Sequence, residues 1–400
     1  MAGALARRVA AWTLSLTLLS LLGWFLVALS VVGSGYTVAT AVVLRRFLAR
    51  RGPVPVSFEP VTLLKPLHGA EPRLYDNLAS FLAQRHHGPV QMLCGVGRAD
   101  DAAVAVVEAL RRDYPAAHID LVVDVARHGS NGKVANLVNM APHIAHDTVV
   151  LSDSDMAVPV DYLARVTQAL AEPGVGAVTC LYRGRGDGGF WSRLGAAGSS
   201  WQFLPGVVFG LVTGLARPCM GSTIALRHET LAAIGGFAAF ADVLADDHAM
   251  GAAVEATGRR VAVPPMVLVH AANEPDAASL WRHELRWAVT VRDLQRAGYV
   301  GSVVGMPLPL ALIGLALCPA RRIAAPALLL ALTARWLVVA VADRGVERAE
   351  PLWLLPLRDV LGFAVYIASF FTRSVDWRGS RLRLAAAGRI AAETELKTTP

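Results

Sequence analysis

Aspartates sit at two places in this chain where their spacing suits chemistry. In Leu151-Ser152-Asp153-Ser154-Asp155-Met156 two of them stand one residue apart, directly after the apolar run Thr148 to Leu151. Carboxylates so spaced at the turn after a strand can both approach a hard divalent cation that also needs phosphate oxygens. The carboxyl ends of strands are also where open α/β sheets bind ligands. A diphosphate ester would supply the phosphate oxygens; a solvated turn or a helix N-cap would use the same residues. In Ala245-Asp246-Asp247-His248 an aspartate pair opens an amphipathic helical pattern. The pair reads either as helix capping or with Asp247 as a base that takes a proton from an attacking hydroxyl. In Trp281-Arg282-His283-Glu284-Leu285-Arg286-Trp287, helical spacing puts Arg282 and Arg286 on one face and His283 and Trp287 on the adjacent one. Arginine neutralises a diphosphate leaving group by paired hydrogen bonds, and tryptophan offers a flat wall for an acceptor. A basic amphipathic helix resting on a membrane has the same pattern.

These groups need a frame that brings them together. Between about Val54 and Ala297 short apolar runs alternate with helical stretches, the rhythm of an α/β domain with a largely parallel sheet. The expected strands are Val61 to Leu64, Val90 to Val96, Ile119 to Val123, Thr148 to Leu151 and Gly176 to Cys180. The expected helices are Arg73 to Gln84, Ala102 to Asp113, Lys133 to Ala141 and Val160 to Ala171. A dinucleotide oxidoreductase is excluded, because Gly95-x-Gly97 is followed by Asp100 where a third glycine should stand.

The flanks are apolar. From Ala11 to Leu44 no charged residue occurs, more than the roughly 20 residues a membrane helix needs and too long for a signal peptide. The arginines after Leu44 outweigh Arg7 and Arg8 before the span, which places the α/β region in the cytoplasm. After Tyr299 come three apolar blocks, Gly301 to Pro319, Ile323 to Ala342 and Leu352 to Phe371. The acidic loop Asp343 to Glu350 and the tail arginines Arg373, Arg378, Arg381, Arg383 and Arg389 predict loop outside and tail inside. Both are met if the first block, broken by Met306-Pro307-Leu308-Pro309, is interfacial or re-entrant and leaves Arg321 and Arg322 in the cytoplasm; an ordinary kinked span is the alternative. The stretch Phe203 to Leu215 is shorter than a span and reads either as an interfacial helix guiding a lipid toward Asp247 or as a core helix. The expected division is an N-terminal anchor over 1–52, a catalytic domain over 53–299, membrane segments over 300–372 and a basic tail over 373–400.

Composition agrees with this layout. Of 400 residues 54% are hydrophobic and the net charge is +7, which disfavours a wholly soluble protein. The arginines flank apolar stretches instead of interleaving with aromatics, so anionic lipid headgroups are the expected partners and nucleic acid is not. Four scattered cysteines, Cys94, Cys180, Cys219 and Cys318, form no zinc or disulfide pattern.

In this order, the motifs resemble those of membrane-linked family 2 and family 21 glycosyltransferases with the GT-A fold. The similarity is greatest to the ceramide glucosyltransferase-like group and, within it, to a bacterial hopanoid-associated branch. It is carried by Leu64-Lys65-Pro66-Leu67-His68-Gly69, His128-Gly129-Ser130-Asn131-Gly132-Lys133-Val134-Ala135-Asn136-Leu137, Ser152-Asp153-Ser154-Asp155, Arg217-Pro218-Cys219-Met220-Gly221-Ser222-Thr223, Leu244-Ala245-Asp246-Asp247 and His283-Glu284-Leu285-Arg286-Trp287.

The resemblance implies a GT-A type nucleotide-diphospho-sugar transferase domain between N-terminal and C-terminal transmembrane helices. It implies an inner-membrane enzyme facing the cytoplasm that moves a sugar, N-acetylglucosamine, from a UDP-sugar to a hopanoid polyol with inversion, using Mg2+ or Mn2+. Lys65 would flank the uridine, and Lys133, Asn136 and Asp246 would lie near the donor. Asp153 and Asp155 would hold the metal diphosphate, Asp247 would be the base, and Arg286 with Trp287 would close over diphosphate and acceptor. The family's usual Val-Gln-Asp is Val96-Gly97-Arg98 here, with Asp100 as the substitute for the nucleotide-contacting aspartate. The alternatives are a ceramide glucosyltransferase using UDP-glucose and, of another class, an inactive membrane scaffold.

Overall fold

The computed structural model describes residues 2–346, 350–372, 374–377, 380–384 and 390–392, with side chains from Leu16 to Thr372. Its centre is an α/β domain. In chain order the elements are α1 Ala2–Leu48, β1 Val61–Pro66, α2 Leu74–Leu82, β2 Val90–Val96, α3 Ala102–Asp113, β3 His118–Val123, α4 Gly132–Met140, β4 Thr148–Leu151, β5 Met156–Ala157, α5 Tyr162–Leu170, β6 Val175–Val178, β7 Leu181–Gly186, α6 Phe190–Gly198, a π-helical turn Ser199–Phe203, α7 Leu204–Thr213, β8 Ile224–Arg227, α8 His228–Ala233, α9 Asp246–Ala256, β9 Arg260–Ala262 and β10 Val267–Ala272. The long helix α10 Ala277–Leu294 comes next, then α11 Arg296–Gly301, α12 Pro307–Leu317, α13 Arg321–Ala342 and α14 Leu354–Ser369.

The seven-stranded sheet has the order β3-β2-β1-β4-β8-β6-β9. All its pairings are parallel except those of β8, which runs against β4 and β6. This is the GT-A architecture that the resemblance implies. The five expected strands and four expected helices are all present, shifted by a residue or two at their ends. Strands β5, β7, β8, β9 and β10 lie outside the expected set. Together β5, β10 and β7 form a second sheet, whose register places His270 against Met156 and Gly184. That sheet carries the chain from the Asp153 turn toward α10.

The membrane-side helices depart from the expected layout. Among the described residues, Leu16–Leu48 and Arg321–Ala342 are the two helices long and apolar enough to cross a membrane, and Arg296–Gly305 with Pro307–Leu317 is a pair bent by 66°. Glycines let α12 lie directly on α1: a Cβ at Gly33 would meet Val304 O at 2.4 Å, and one at Gly23 would meet Cys318 N at 3.0 Å. Gly33 is therefore level with the start of α12 and Gly23 with its end, so α12 runs antiparallel to α1, away from the catalytic domain. Helix α13 returns, with Ala324 and Ala327 packed near Val27 at its start and Val339 and Ala342 in the catalytic core at its end.

The loop after α13 is consequently beside the catalytic domain and not across from it. Asp343 Oδ2 accepts from Trp201 Nε1 at 2.9 Å, and Glu350 pairs with Arg193 at 2.9 Å. The expected outside position of Asp343 to Glu350 is thereby corrected, and Arg321 and Arg322 lie at the remote end of the α12–α13 hairpin. The third apolar block also differs. Helix α14 has 16 residues and carries Arg358 and Asp359, both buried. Asp359 makes two bonds to Arg335 of α13, at 2.7 and 2.8 Å, and Arg358 pairs with Glu284 of α10. Charges so placed are satisfied against protein and would be costly in lipid, which is why an apolar composition produced a helix docked on the catalytic domain. The tail residues Arg373, Arg378 and Arg389 lie outside the described residues.

Candidate active site

The site forms where β4 ends. Asp153 N donates to Gly221 O at 3.1 Å, and Ala271 N donates to Asp155 O at 2.8 Å, so the two aspartates are held by different neighbours: the segment before β8 and strand β10. A Cβ on Gly221 would lie 2.4 Å from Asp153 Oδ2, and only glycine there leaves room for the carboxylate. Gly221 N in turn donates to Asp247 Oδ2 at 3.0 Å. One residue thus sets the separation of the first acidic pair from the second.

Helix α9 begins with Asp246 and Asp247, and the N-cap residue before them, Ala245, makes no side-chain cap bond. His248 N donates to Asp247 Oδ1 at 2.7 Å. The loop ahead of α9 is stitched to α4 by Asn131, whose Oδ1 accepts from Lys133 N and Val134 N while its Nδ2 donates to Val243 O at 2.8 Å. Asn131 is a functional position that its motif contained but that residue type alone did not single out. Its consequence is the placing of Lys133, whose Nζ lies 2.7 Å from Asp153 Oδ1 and 3.4 Å from Asp246 Oδ2.

Crowding sets the electrostatics of the cluster. Burial, then the Asp246 carboxylate, push Asp247 up to about 6 against the opposing charge of Lys133. Burial works to lower the pKa of Lys133, but Asp153, Asp246 and Asp247 outweigh it and hold the ammonium above its ordinary range. Asp155 accepts from His270 Nε2 at 3.1 Å. Burial alone would neutralise that pair; their mutual attraction holds Asp155 below the usual carboxylate range and His270 up at about 9.

Sequence expectation and geometry part at Lys65. Lys65 is fully buried, 3.0 Å from Ser152 Oγ and 3.2 Å from Asp153 O, with Nζ 3.2 Å from the centroid of the Phe81 ring. Burial pushes it down to about 7. Its side chain props the Asp153 turn from beneath and does not reach a donor surface, which corrects its expected place beside uridine. Asp100 is exposed and paired with Arg98 at 2.7 Å, while its neighbour Asp101 caps α3; the structure brings Asp100 into no contact with the acidic cluster. Asn136 donates to Gly95 O at 2.7 Å and ties α4 to the end of β2.

Of the two aspartates of the β4 turn, Asp155 is open to a cation, while Asp153 Oδ1 is held by Lys133. Asp155 Oδ1 is buried without a hydrogen-bond partner, an anionic acceptor that no protein donor reaches. Among the described residues no group of three His, Cys, Asp or Glu side chains could hold a metal by itself. Further ligands would have to come from a substrate's phosphate oxygens, as the separated carboxylates require.

A cavity of about 360 Å³ lies beyond His270, the residue that links it to Asp155. The cavity is lined by Tyr36, Thr37 and Thr40 of α1, by Gln202 and Phe203 of the π turn, by Trp287 of α10 and by Tyr366 of α14, with His270 at the end toward Asp155. Tyr182 lies between, its ring 4.7 Å from Phe203 and 5.5 Å from His270. Burial and then the charges of Asp247, Asp155 and Asp153 raise its phenol well above the ordinary value. No motif pointed to Tyr182, which stands in a strand that also carries Arg183 and Arg185. Trp287 sits between Phe203 at 6.1 Å and His283 at 5.1 Å and lines the cavity. Phe209 of α7 packs edge-on against Tyr36 at 4.7 Å, which puts the Phe203 to Leu215 stretch against the membrane helix.

Comparison with known proteins agrees with this layout. The profile described as Glycosyl transferase family 21 matches residues 25–390. Ceramide glucosyltransferase 3 of Caenorhabditis elegans is 23% identical over 355 residues, covering 82% of this chain and 74% of that protein. The ceramide glucosyltransferase of Komagataella phaffii is 30% identical over 154 residues, 37% of this chain and 29% of that protein. Among solved structures, a mannosyltransferase from Pyrobaculum calidifontis in complex with GDP-Man and Mn2+ is 21% identical, with 86% of this chain and 99% of its own covered and a TM-score of 0.47.

Proposed function

The chain belongs to glycosyl transferase family 21 and is a hexosyltransferase; on that premise we propose that it glycosylates a membrane lipid, moving N-acetylglucosamine from a UDP-sugar to a hydroxyl of a hopanoid polyol. The observation that carries a lipid acceptor is His270, which bonds Asp155 on one side and lines the cavity reaching α1 on the other. An acceptor lying in that cavity would present its head to the acidic cluster while its tail stayed beside Tyr36, Thr37 and Thr40.

In this reading Asp153 and Asp155 hold Mg2+ or Mn2+, which when bound supplies positive charge to the donor diphosphate. Ionised Asp247 accepts the proton of the acceptor hydroxyl. That oxygen forms the new bond to the anomeric carbon as the bond to the diphosphate oxygen breaks, and UDP leaves with the electron pair. One displacement inverts the anomeric configuration, so an α-linked donor gives a β-linked product. Lys133 holds Asp153 and Asp246 in place and opposes the rise in the Asp247 pKa. Asp246 and Asn136 belong to the donor side, Arg286 lies on the helix that faces the leaving group, and Trp287 walls the acceptor. Asp100, held by Arg98, contacts the nucleotide only if that exposed pair opens on binding. We place the protein in the inner membrane with its catalytic domain on the cytoplasmic face, as the arginines following Leu44 require.

A second reading takes ceramide as acceptor and UDP-glucose as donor, and the ceramide glucosyltransferases among its relatives favour it. Purified protein in detergent separates the two. UDP release would be measured with UDP-N-acetylglucosamine or UDP-glucose against a bacteriohopanepolyol or ceramide, with Asp247→Asn as control. Metal-dependent release with UDP-N-acetylglucosamine and the polyol supports the first reading. Release with UDP-glucose and ceramide replaces it with the second, and no release with any pairing sinks both.

A further inference from the structure

A second carboxylate group faces the cavity, away from the acidic cluster. Glu274 lies two residues beyond β10, is only 9% exposed, and lines the cavity. Its Oε1 is taken by His283 Nδ1 at 2.5 Å. Its Oε2 is buried and has no partner. A carboxylate oxygen left without a donor in a buried site is costly unless a ligand completes it. The space beside it is held open by the absence of a side chain on α6: a Cβ at Gly195 would come within 3.1 Å of Glu274 Oε2. Of the charged groups lining the cavity, His270 bonds Asp155 through Nε2 and has no partner at Nδ1, while the two arginines are committed. Arg358 is bonded to Glu284 and Gln202, and Arg335 to Asp359 and Trp201 O.

We infer that Glu274 is a specificity-determining residue that accepts a hydrogen bond from a second donor on the acceptor, a hydroxyl or an amide N–H besides the hydroxyl that receives the sugar. This rests on the lipid-acceptor reading. The inference requires the acceptor head to be a polyol or an amido-alcohol and rejects a simple long-chain alcohol. A site built to bond a substrate OH or NH discriminates strongly against the analogue lacking it, because its own buried group is then left unpaired. His283 fixes the carboxylate through Oε1 and so presents Oε2 to the ligand; it acts as a positioning residue, placed on the same helix as Trp287.

The experiment compares kcat/KM for two acceptors in the same detergent, a long-chain alcohol with one hydroxyl and one bearing a second hydroxyl or an amide. In wild type the two-donor acceptor is preferred. In Glu274→Ala the ratio of the two kcat/KM values falls about 10- to 100-fold, the range that a hydrogen bond to a charged group covers. Gly195→Ala, which crowds Oε2 without altering the carboxylate, lowers the same ratio and serves if the glutamate variant does not fold. A ratio that stays at the wild-type value in the folded variant overturns the inference, including the case in which both acceptors lose activity equally. A wild type that turns over neither acceptor would instead sink the lipid-acceptor reading itself, a result visible before any variant is made.

Discussion

The two halves of the site are built by opposite means. The acidic half comes from strand ends and helix starts close to the sheet: the β4 turn, the segment before β8 and the first turn of α9, drawn together by Gly221, Asn131 and Lys133. The cavity half is assembled from α1, the π turn, α10 and α14, whose sequence positions run from Tyr36 to Tyr366. The first is a cluster of like charges kept in place by one ammonium and the backbone. The second is an apolar space whose walls are fixed by ion pairs between helices. The acidic groups are thus gathered where strand ends and helix starts meet, and the cavity is walled mainly by helices distant in sequence.

The comparison breaks first at Asp247. Asp247→Asn should reduce transfer to every acceptor by roughly 10²- to 10⁴-fold, the span of general-base catalysis, measured as product formed per enzyme with folding confirmed by thermal melting. A variant retaining a tenth of wild-type activity would remove Asp247 from the base role.

Arg335→Met tests the other half. Arg335 and Asp359 are almost fully buried, so leaving Asp359 unpaired should cost about 3–5 kcal/mol, whereas Arg335→Met with Asp359→Leu should recover most of the loss. Melting of the detergent-solubilised proteins checks both, and a single variant as stable as wild type would show that this pair does not hold α14 to α13.

That asymmetry also decided how much could be read from the sequence. The placement of Asp153 and Asp155 after a strand and of Asp247 at a helix start was legible because the apolar runs beside them mark those ends. The β strands with long apolar runs were found nearly to the residue. Lys65 misled because residue type does not reveal that a lysine at a strand end turns inward over Phe81. Helix α14 misled because an apolar helix containing Arg358 and Asp359 looks like a span until its partners Glu284 and Arg335, far away in sequence, are seen. Tyr182 and Glu274 carried no signal at all, since their roles arise from contacts between sheets and helices.

The pH dependence sharpens the account of the acidic half. Asp247 works as a base only when ionised and its pKa is raised to about 6. Transfer should therefore be full above that pH and fall as pH drops through it. Lys133 lowers that pKa, so Lys133→Met should move the acidic limb of kcat to higher pH. An unmoved limb would assign the titration to another group.

The smallest effect belongs to the membrane wall. Phe209→Ala removes the edge-on contact with Tyr36, an interaction of about 0.5–1.5 kcal/mol, and should raise the acceptor KM about 2- to 12-fold with little change in the donor KM. An equal change in both constants would place Phe209 in general packing instead.

The most direct test of the central claim is to locate the acceptor. A polyol lipid carrying a photoreactive group beside its hydroxyls would be crosslinked to the protein in the presence of UDP, and the labelled peptides mapped by mass spectrometry. The account predicts labels within the cavity wall, at 34–40, 198–206, 270–288 or 362–366. Labels confined to the far end of the α12–α13 hairpin, around 318–323, would contradict it.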